Sequence, residues 1–250
     1  MDPYLWQIPV LVVVGVVAGF LNVLAGGGSL MTLPLLIFFG LPVATANGTN
    51  RIAIFCQNIF AIAGFKRQGI FPIRIALICT PPALIGSYIG ANMAITVDEM
   101  LFRRILAVVM IGVLIFMIID PLKRLQLAEM PMTPIRLAVL IVSFFGIGVY
   151  GGFVQAGVGF IIITGLLVHG LDLVRINAIK VLVIFAFTIV ALGVFVVHGQ
   201  VDYVLGLALA TGNSLGGWFA THMAVKKGHE WIKRFVIVTV FILALRLLLP

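Results

Sequence analysis

Apolar runs long enough for a helix to cross the roughly 30 Å hydrocarbon core of a bilayer recur along almost the whole chain. They are interrupted by glycine-rich and polar stretches. Strands of a membrane barrel would instead alternate polar and apolar residues over about ten positions. With 62% hydrophobic and only 10% charged residues, the chain also falls outside the range of soluble domains, where about a quarter is charged. The fold class is an all-α polytopic membrane protein, with the lipid bilayer as its first partner.

The net charge of +8 would suggest nucleic acid in a soluble protein. Here the basic residues sit in short connections, where they set orientation, so no nucleic-acid partner is expected. Cys56 and Cys79 fall inside apolar segments and act as small hydrophobes; neither a disulfide, a metal site nor a cofactor is expected. The start, Met1 to Gln7, lacks the basic region of a cleavable signal peptide and is expected to be retained.

Ten segments follow from the apolar runs: 4–24, 29–39, 43–65, 73–95 and 105–119, then 135–148, 160–168, 173–197, 203–225 and 231–249. The second has eleven residues and, at about 1.5 Å each, reaches only halfway across the core. Segments two and seven are therefore short or re-entrant, and the sequence leaves their crossing open. A polar linker, 120–134, separates an N-terminal unit (1–119) from a C-terminal one (135–250).

Shifting the second unit by 130 positions pairs Gly27 with Gly157, Gly40 with Gly170, Asn47 with Asn177, Phe65 with Phe195, Gly69 with Gly199, Gly86 with Gly216 and Arg104 with Arg234. An internal duplication explains these pairs better than composition. Lys66, Arg67 and Arg74 flank a connection whose counterpart, around His198 and Asp202, has no lysine or arginine. The next pair reverses the bias, with Lys226, Lys227, Lys233 and Arg234 in the second copy. Because basic residues favour the cytoplasm, the two copies are expected to be inverted, with the N-terminus outside and the linker inside. Arg103 and Arg104 are the exception to that pattern.

The candidate site lies where the apolar runs are most disturbed. Gly26, Gly27, Gly28 and Ser29 break the first copy; Gln155, Gly157 and Gly159 break the second. Freed backbone is tolerated at membrane depth only where it faces protein or a watery cavity, and a helix that restarts there offers unpaired N–H groups to an anion. Asn47, Gly48, Thr49, Asn50 and Arg51 open segment three; Asn177 and Lys180 open segment eight. Each cation lies roughly 10 to 12 Å in from its end, so the two converge on the midplane. Thr32, and with it Asn22, adds neutral donors, and His222 is a candidate proton relay. Snorkelling of the cations to headgroups and simple packing of the glycines are the competing structural roles. All eight acids lie at segment ends or in connections, which argues against a cation carrier. Nothing resembles a nucleotide loop, a metal cluster or a nucleophile with its base, so an enzyme is not expected.

The glycine-spaced stretch from Gly19 to Ser29, the run ANGTNR from Ala46 to Arg51 and the weaker second copy around Gly157 and Lys180 resemble the TauE/SafE family of sulfite exporters and related organosulfur anion permeases. The resemblance covers nearly the whole chain. It implies a multi-pass permease of a bacterial or archaeal cytoplasmic membrane that moves sulfite, sulfoacetate or similar small anions, often outward. A non-transporting membrane scaffold and a membrane-embedded enzyme are the alternatives. Direction, coupling ion and homo-oligomer formation stay open.

Overall fold

The computed structural model describes residues 4–119, 133–168 and 170–224, and these form helices and short connections with no strand among them. In chain order the described helices are α1 (Tyr4–Leu24), α2 (Ser29–Phe38), α3 (Val43–Arg67), α4 (Ile73–Thr96), α5 (Glu99–Ile119), α6 (Pro134–Phe153), α7 (Val158–Leu167), α8 (Leu173–Val197) and α9 (Tyr203–Ala224). Most of the linker, the tenth segment and the basic residues 226–234 lie outside the described residues.

Four helices are long and apolar enough to cross a bilayer: Trp6–Leu24, Ile73–Thr96, Pro134–Phe153 and Leu173–Val197. α3 is as long as α8, 25 residues each, but carries Asn47, Asn50, Arg51, Gln57 and Asn58. All five are buried, which is the condition under which such groups persist at membrane depth.

Two boundaries depart from the apolar runs. α5 begins at Glu99 rather than Ile105, because its polar first turns are held by the Arg103–Glu99 ion pair at 2.8 Å and by Asp98 Oδ2 accepting from Leu101 N. α6 continues past Gly148 to Phe153. Its glycines do not end the helix; they let another backbone come close, as small residues do between membrane helices. A Cβ on Gly148 would stand 2.3 Å from Ala83 O, and one on Gly152 would stand 2.2 Å from Ser87 O.

The same device joins α1 to α9. Gly19 meets the backbone of Asn213 and Gly216 meets Val16 O, as Gly148 meets Ala83 and Gly86 meets Phe145 O on the α4–α6 pair. In both pairs the contacts advance together along the two helices, so α1 runs parallel to α9 and α4 parallel to α6.

These contacts decide the path of the short helices. Trp6 and Phe39 pack edge to face at 4.9 Å, so α2 returns to the face from which α1 starts. α6 starts beside the start of α4, and residues 69–75 before and at that start share a cleft with Leu171, Asp172 and Arg175 at the start of α8. α7 therefore also returns to the face its partner left. Each interrupted segment is thus a hairpin, its short helix doubling back along the long helix before it. One face carries the starts of α1, α3 and α9; the opposite face carries the starts of α4, α6 and α8.

Candidate functional site

α1 stops at Leu24 because the chain turns sharply: Ala25 N and Gly26 N both donate to Leu21 O, at 2.7 and 3.1 Å, and Gly26 takes φ +84°. The second hairpin turns through Gln155 at φ 62° and Gly157 at φ 73°. A left-handed glutamine is uncommon, and such outliers persist where surrounding structure holds them. The two turns touch. A Cβ on Gly26 would stand 2.3 Å from Gly159 Cα, and the converse distance is the same. Only glycine at both positions allows this contact, which brings the hairpin tips together at the centre of the bundle.

Both cations reach these tips, each from the other half of the chain. Arg51, with no solvent exposure, donates from Nη2 to Gly151 O at 3.1 Å and to Gly152 O, and lies 4.9 Å over the Phe195 ring. Lys180, equally buried, donates to Val23 O and to Asn177 Oδ1, both at 2.7 Å. Asn47 Nδ2 adds a bond to Phe153 O at 2.6 Å. The acceptors are the last carbonyls of α1 and α6, where a helix carries unpaired acceptors and about half a negative charge. The cations thus sit against the C-terminal ends of α1 and α6. Neither points to headgroups.

The N-termini that complete the hairpins carry no side-chain cap; Gly28 precedes α2 and Gly157 precedes α7. Ser29 is buried at the first position of α2. Thr32 Oγ1 donates to Asn50 Oδ1 at 2.7 Å, tying α2 to α3. Several buried polar atoms remain without a partner: Arg51 Nε and Nη1, Asn50 Nδ2, Asn47 Oδ1 and Gln155 Oε1. Gln155 Nε2 is used by Thr188 Oγ1 at 3.1 Å. The two free guanidinium donors stand out, because a buried charge with open donors costs several kcal/mol unless something negative accepts from it.

Other candidates lie apart from this cluster. The Thr49 hydroxyl accepts from Asp202 N at 2.8 Å, and Gly48 packs on Gln200 O, both nearer the face where α3 starts. Gly27 faces the Phe160 ring, and Gly28 faces Ala18 O. His222 is exposed near the end of α9, its Nδ1 3.0 Å from Trp218 O, away from the hairpin tips. Asn22, read from the sequence as a neutral donor of the site, instead joins Gln57 and Asn213 in an interhelical network, with Asn22 Nδ2 and Asn213 Nδ2 both donating to Gln57 Oε1. Asp98, Asp172 and Asp202 cap helices: Asp172 Oδ1 accepts from Val174 N and Arg175 N, and Asp202 Oδ1 from Leu205 N. No group of three or more His, Cys, Asp or Glu residues comes together among the described residues.

Sequence reasoning missed the acceptors at Val23, Gly151 and Gly152, since a backbone carbonyl has no residue signature. Phe195 was findable only through its repeat partner Phe65.

Crossing helices that enclose a buried, partly unpaired polar centre define a polytopic membrane protein built around an internal site. The chain belongs to the sulfite exporter TauE/SafE family, whose sequence profile matches residues 11–247, and it is accordingly a membrane transporter. It is 24% identical to a probable membrane transporter protein of Haemophilus influenzae over 99% of this chain and 96% of that one. It is 26% identical to probable membrane transporter protein ORF9 of a Sinorhizobium species, over 95% and 91%. It is 25% identical to probable membrane transporter protein YfcA of Escherichia coli K12, over 96% and 88%. No solved structure gives a significant match.

Proposed function

We propose that the transported species is a small oxyanion, sulfite or an organosulfonate, bound near the bilayer midplane between the two hairpin tips. The observation that carries this reading is Arg51, wholly buried yet with Nε and Nη1 unpaired. Those two open nitrogens offer charge-assisted hydrogen bonds to the oxygens of a sulfonate or sulfite. Asn50 Nδ2 and the uncapped starts of α2 and α7 supply further donors. Lys180 has a different task, holding the end of α1 while adding positive potential.

The two halves are, on this reading, inverted copies. Matched helix lengths, matched parallel pairs and hairpins that open from opposite faces all support it. Each hairpin returns to its own face and α3, α4 and α5 cross between them, so α1 and α6 start from opposite faces and the copies run antiparallel. With Lys66, Arg67 and Arg74 on the cytoplasmic side, the N-terminus lies outside, in a cytoplasmic-type membrane.

The test is flux into proteoliposomes over a panel of sulfite, thiosulfate, sulfate and sulfoacetate, with Arg51→Gln beside the wild type. Uptake of at least one anion, lost in Arg51→Gln while the protein stays monodisperse in detergent, is the expected result. Wild-type vesicles that pass none of the four would overturn the reading.

A further inference from the structure

The two faces of the bundle are not in the same state. Where α3 starts, Thr45 Oγ1 donates to Gln200 Oε1 at 2.6 Å, and Asp202 N donates to Thr49 Oγ1 at 2.8 Å. Gly48 lies so close that a Cβ there would stand 2.0 Å from Gln200 O. The connection between α8 and α9 is thereby latched onto the first two turns of α3. At the matched place on the opposite face, between the α3–α4 connection and the start of α8, a cleft of about 670 Å³ lies open. It is lined by Ile70, Pro72, Arg175 and Ile179, and Ile179 precedes Lys180.

These are the same positions, 130 residues apart. Thr45 corresponds to Arg175, Gly48 to Ala178, Thr49 to Ile179, Gln200 to Ile70 and Asp202 to Pro72. Neither bond of the latch can form between the counterparts. Isoleucine replaces the hydroxyl of Thr49 and the amide of Gln200, and Pro72 has no N–H to stand for that of Asp202. Ala178 places a methyl where Gly48 admits a carbonyl. Arg175 is turned to Asp172, with Nε 3.2 Å from Oδ2.

We propose that Thr45, Gly48, Thr49 and Gln200 form a gate that closes the face where α3 starts, and that the cleft at Ile70, Pro72, Arg175 and Ile179 is the corresponding gate in its open state. The transporter rests with the first face latched and the second unlatched, the cleft there ending at the buried Ile179. Closure of the second face has no counterpart of the Thr45–Gln200 and Thr49–Asp202 bonds, so the resting state is biased by sequence. The direction of that bias across the membrane rests on the orientation given above; the gate itself does not, nor does it depend on which anion is carried.

The test uses the full chain with Cys56 and Cys79 replaced by alanine. Gly48→Cys with Gln200→Cys on one face is compared with Ala178→Cys with Ile70→Cys on the other, under copper phenanthroline. The first pair should lose free thiol to a disulfide while the second pair keeps it. Equal oxidation of both pairs, or of the second alone, overturns the gate. Should Gly48→Cys not fold, Thr45→Cys with Gln200→Cys joined by a short bifunctional thiol reagent reads the same contact, and failure to join overturns it as well. A membrane-impermeant maleimide on Ile70→Cys, at the partly exposed rim of the cleft, should react in inside-out vesicles and not in right-side-out ones. The reverse pattern would refute the orientation and leave the gate standing, whereas no reaction from either side would refute the open cleft.

Discussion

Arg51 and Lys180 look alike in the sequence, two cations near the starts of matched segments, and the structure separates their roles. Lys180 spends its ammonium on Val23 O and Asn177 Oδ1, whereas Arg51 commits one nitrogen and leaves two. The consequence can be measured as a split between affinity and stability. Arg51→Lys keeps the charge but removes the open Nε and Nη1 donors, and loss of one or two charge-assisted bonds of about 1.5–3 kcal/mol should weaken anion binding by one to several orders of magnitude. Its melting temperature in detergent should fall less than that of Lys180→Met, which leaves the last carbonyls of α1 uncapped. A larger thermal loss in Arg51→Lys than in Lys180→Met, with an unchanged half-saturation for sulfite uptake, would reverse the assignment. Much of this centre was legible in the residues: buried cations, a glycine break and an absence of core acids. The pairing was not, because Arg51 and Lys180 bond to carbonyls of Gly151, Gly152 and Val23, and those exist only once the other half of the chain has folded beside them.

Among the helices, the glycines fall into two kinds that the sequence alone does not distinguish. Gly86, Gly90, Gly212 and Gly216 stand where a Cβ would come within 1.9–2.2 Å of a neighbouring carbonyl, while Gly112, Gly146, Gly165 and Gly193 meet nothing within 4 Å. The first group lets α4 and α6, and α1 and α9, approach backbone to backbone. Gly216→Ala should therefore cost about 1–3 kcal/mol through overpacking, and Gly193→Ala should be neutral or gain up to about 1 kcal/mol of helix propensity. Melting curves of the two purified variants in one detergent decide the matter, and equal shifts would show that the parallel pairs do not depend on close approach. The ends of α1, α4, α8 and α9 could be read from apolar runs because lipid contact writes them into composition. The ends of α5 and α6 could not: Glu99–Arg103 extends one helix through a polar turn, and packing against Ala83 and Ser87 carries the other past glycines that would stop it in water.

For the molecule as a whole, the distribution of charge bears on the driving force. The acidic residues among the described ones, Asp98, Glu99, Asp172 and Asp202, serve as caps or surface pairs, so among the described residues no carboxylate is stationed to exchange a proton with the central site. His222 is exposed and away from the hairpin tips. On the proposed reading, an anion crossing this bundle carries its own charge uncompensated, unless a proton travels on the anion itself. Each net charge moved is worth about 2.3 kcal/mol per 100 mV, enough to support a concentration ratio of roughly 50-fold. In sulfite-loaded proteoliposomes, a valinomycin potassium potential negative inside should drive efflux and shift the steady-state distribution outward, and reversing the potential should reverse the shift. A distribution that ignores the potential and follows an imposed pH gradient instead would mean that the substrate crosses in protonated, neutral form. In that case the buried cations would serve to anchor the hairpin ends rather than to accept a full negative charge.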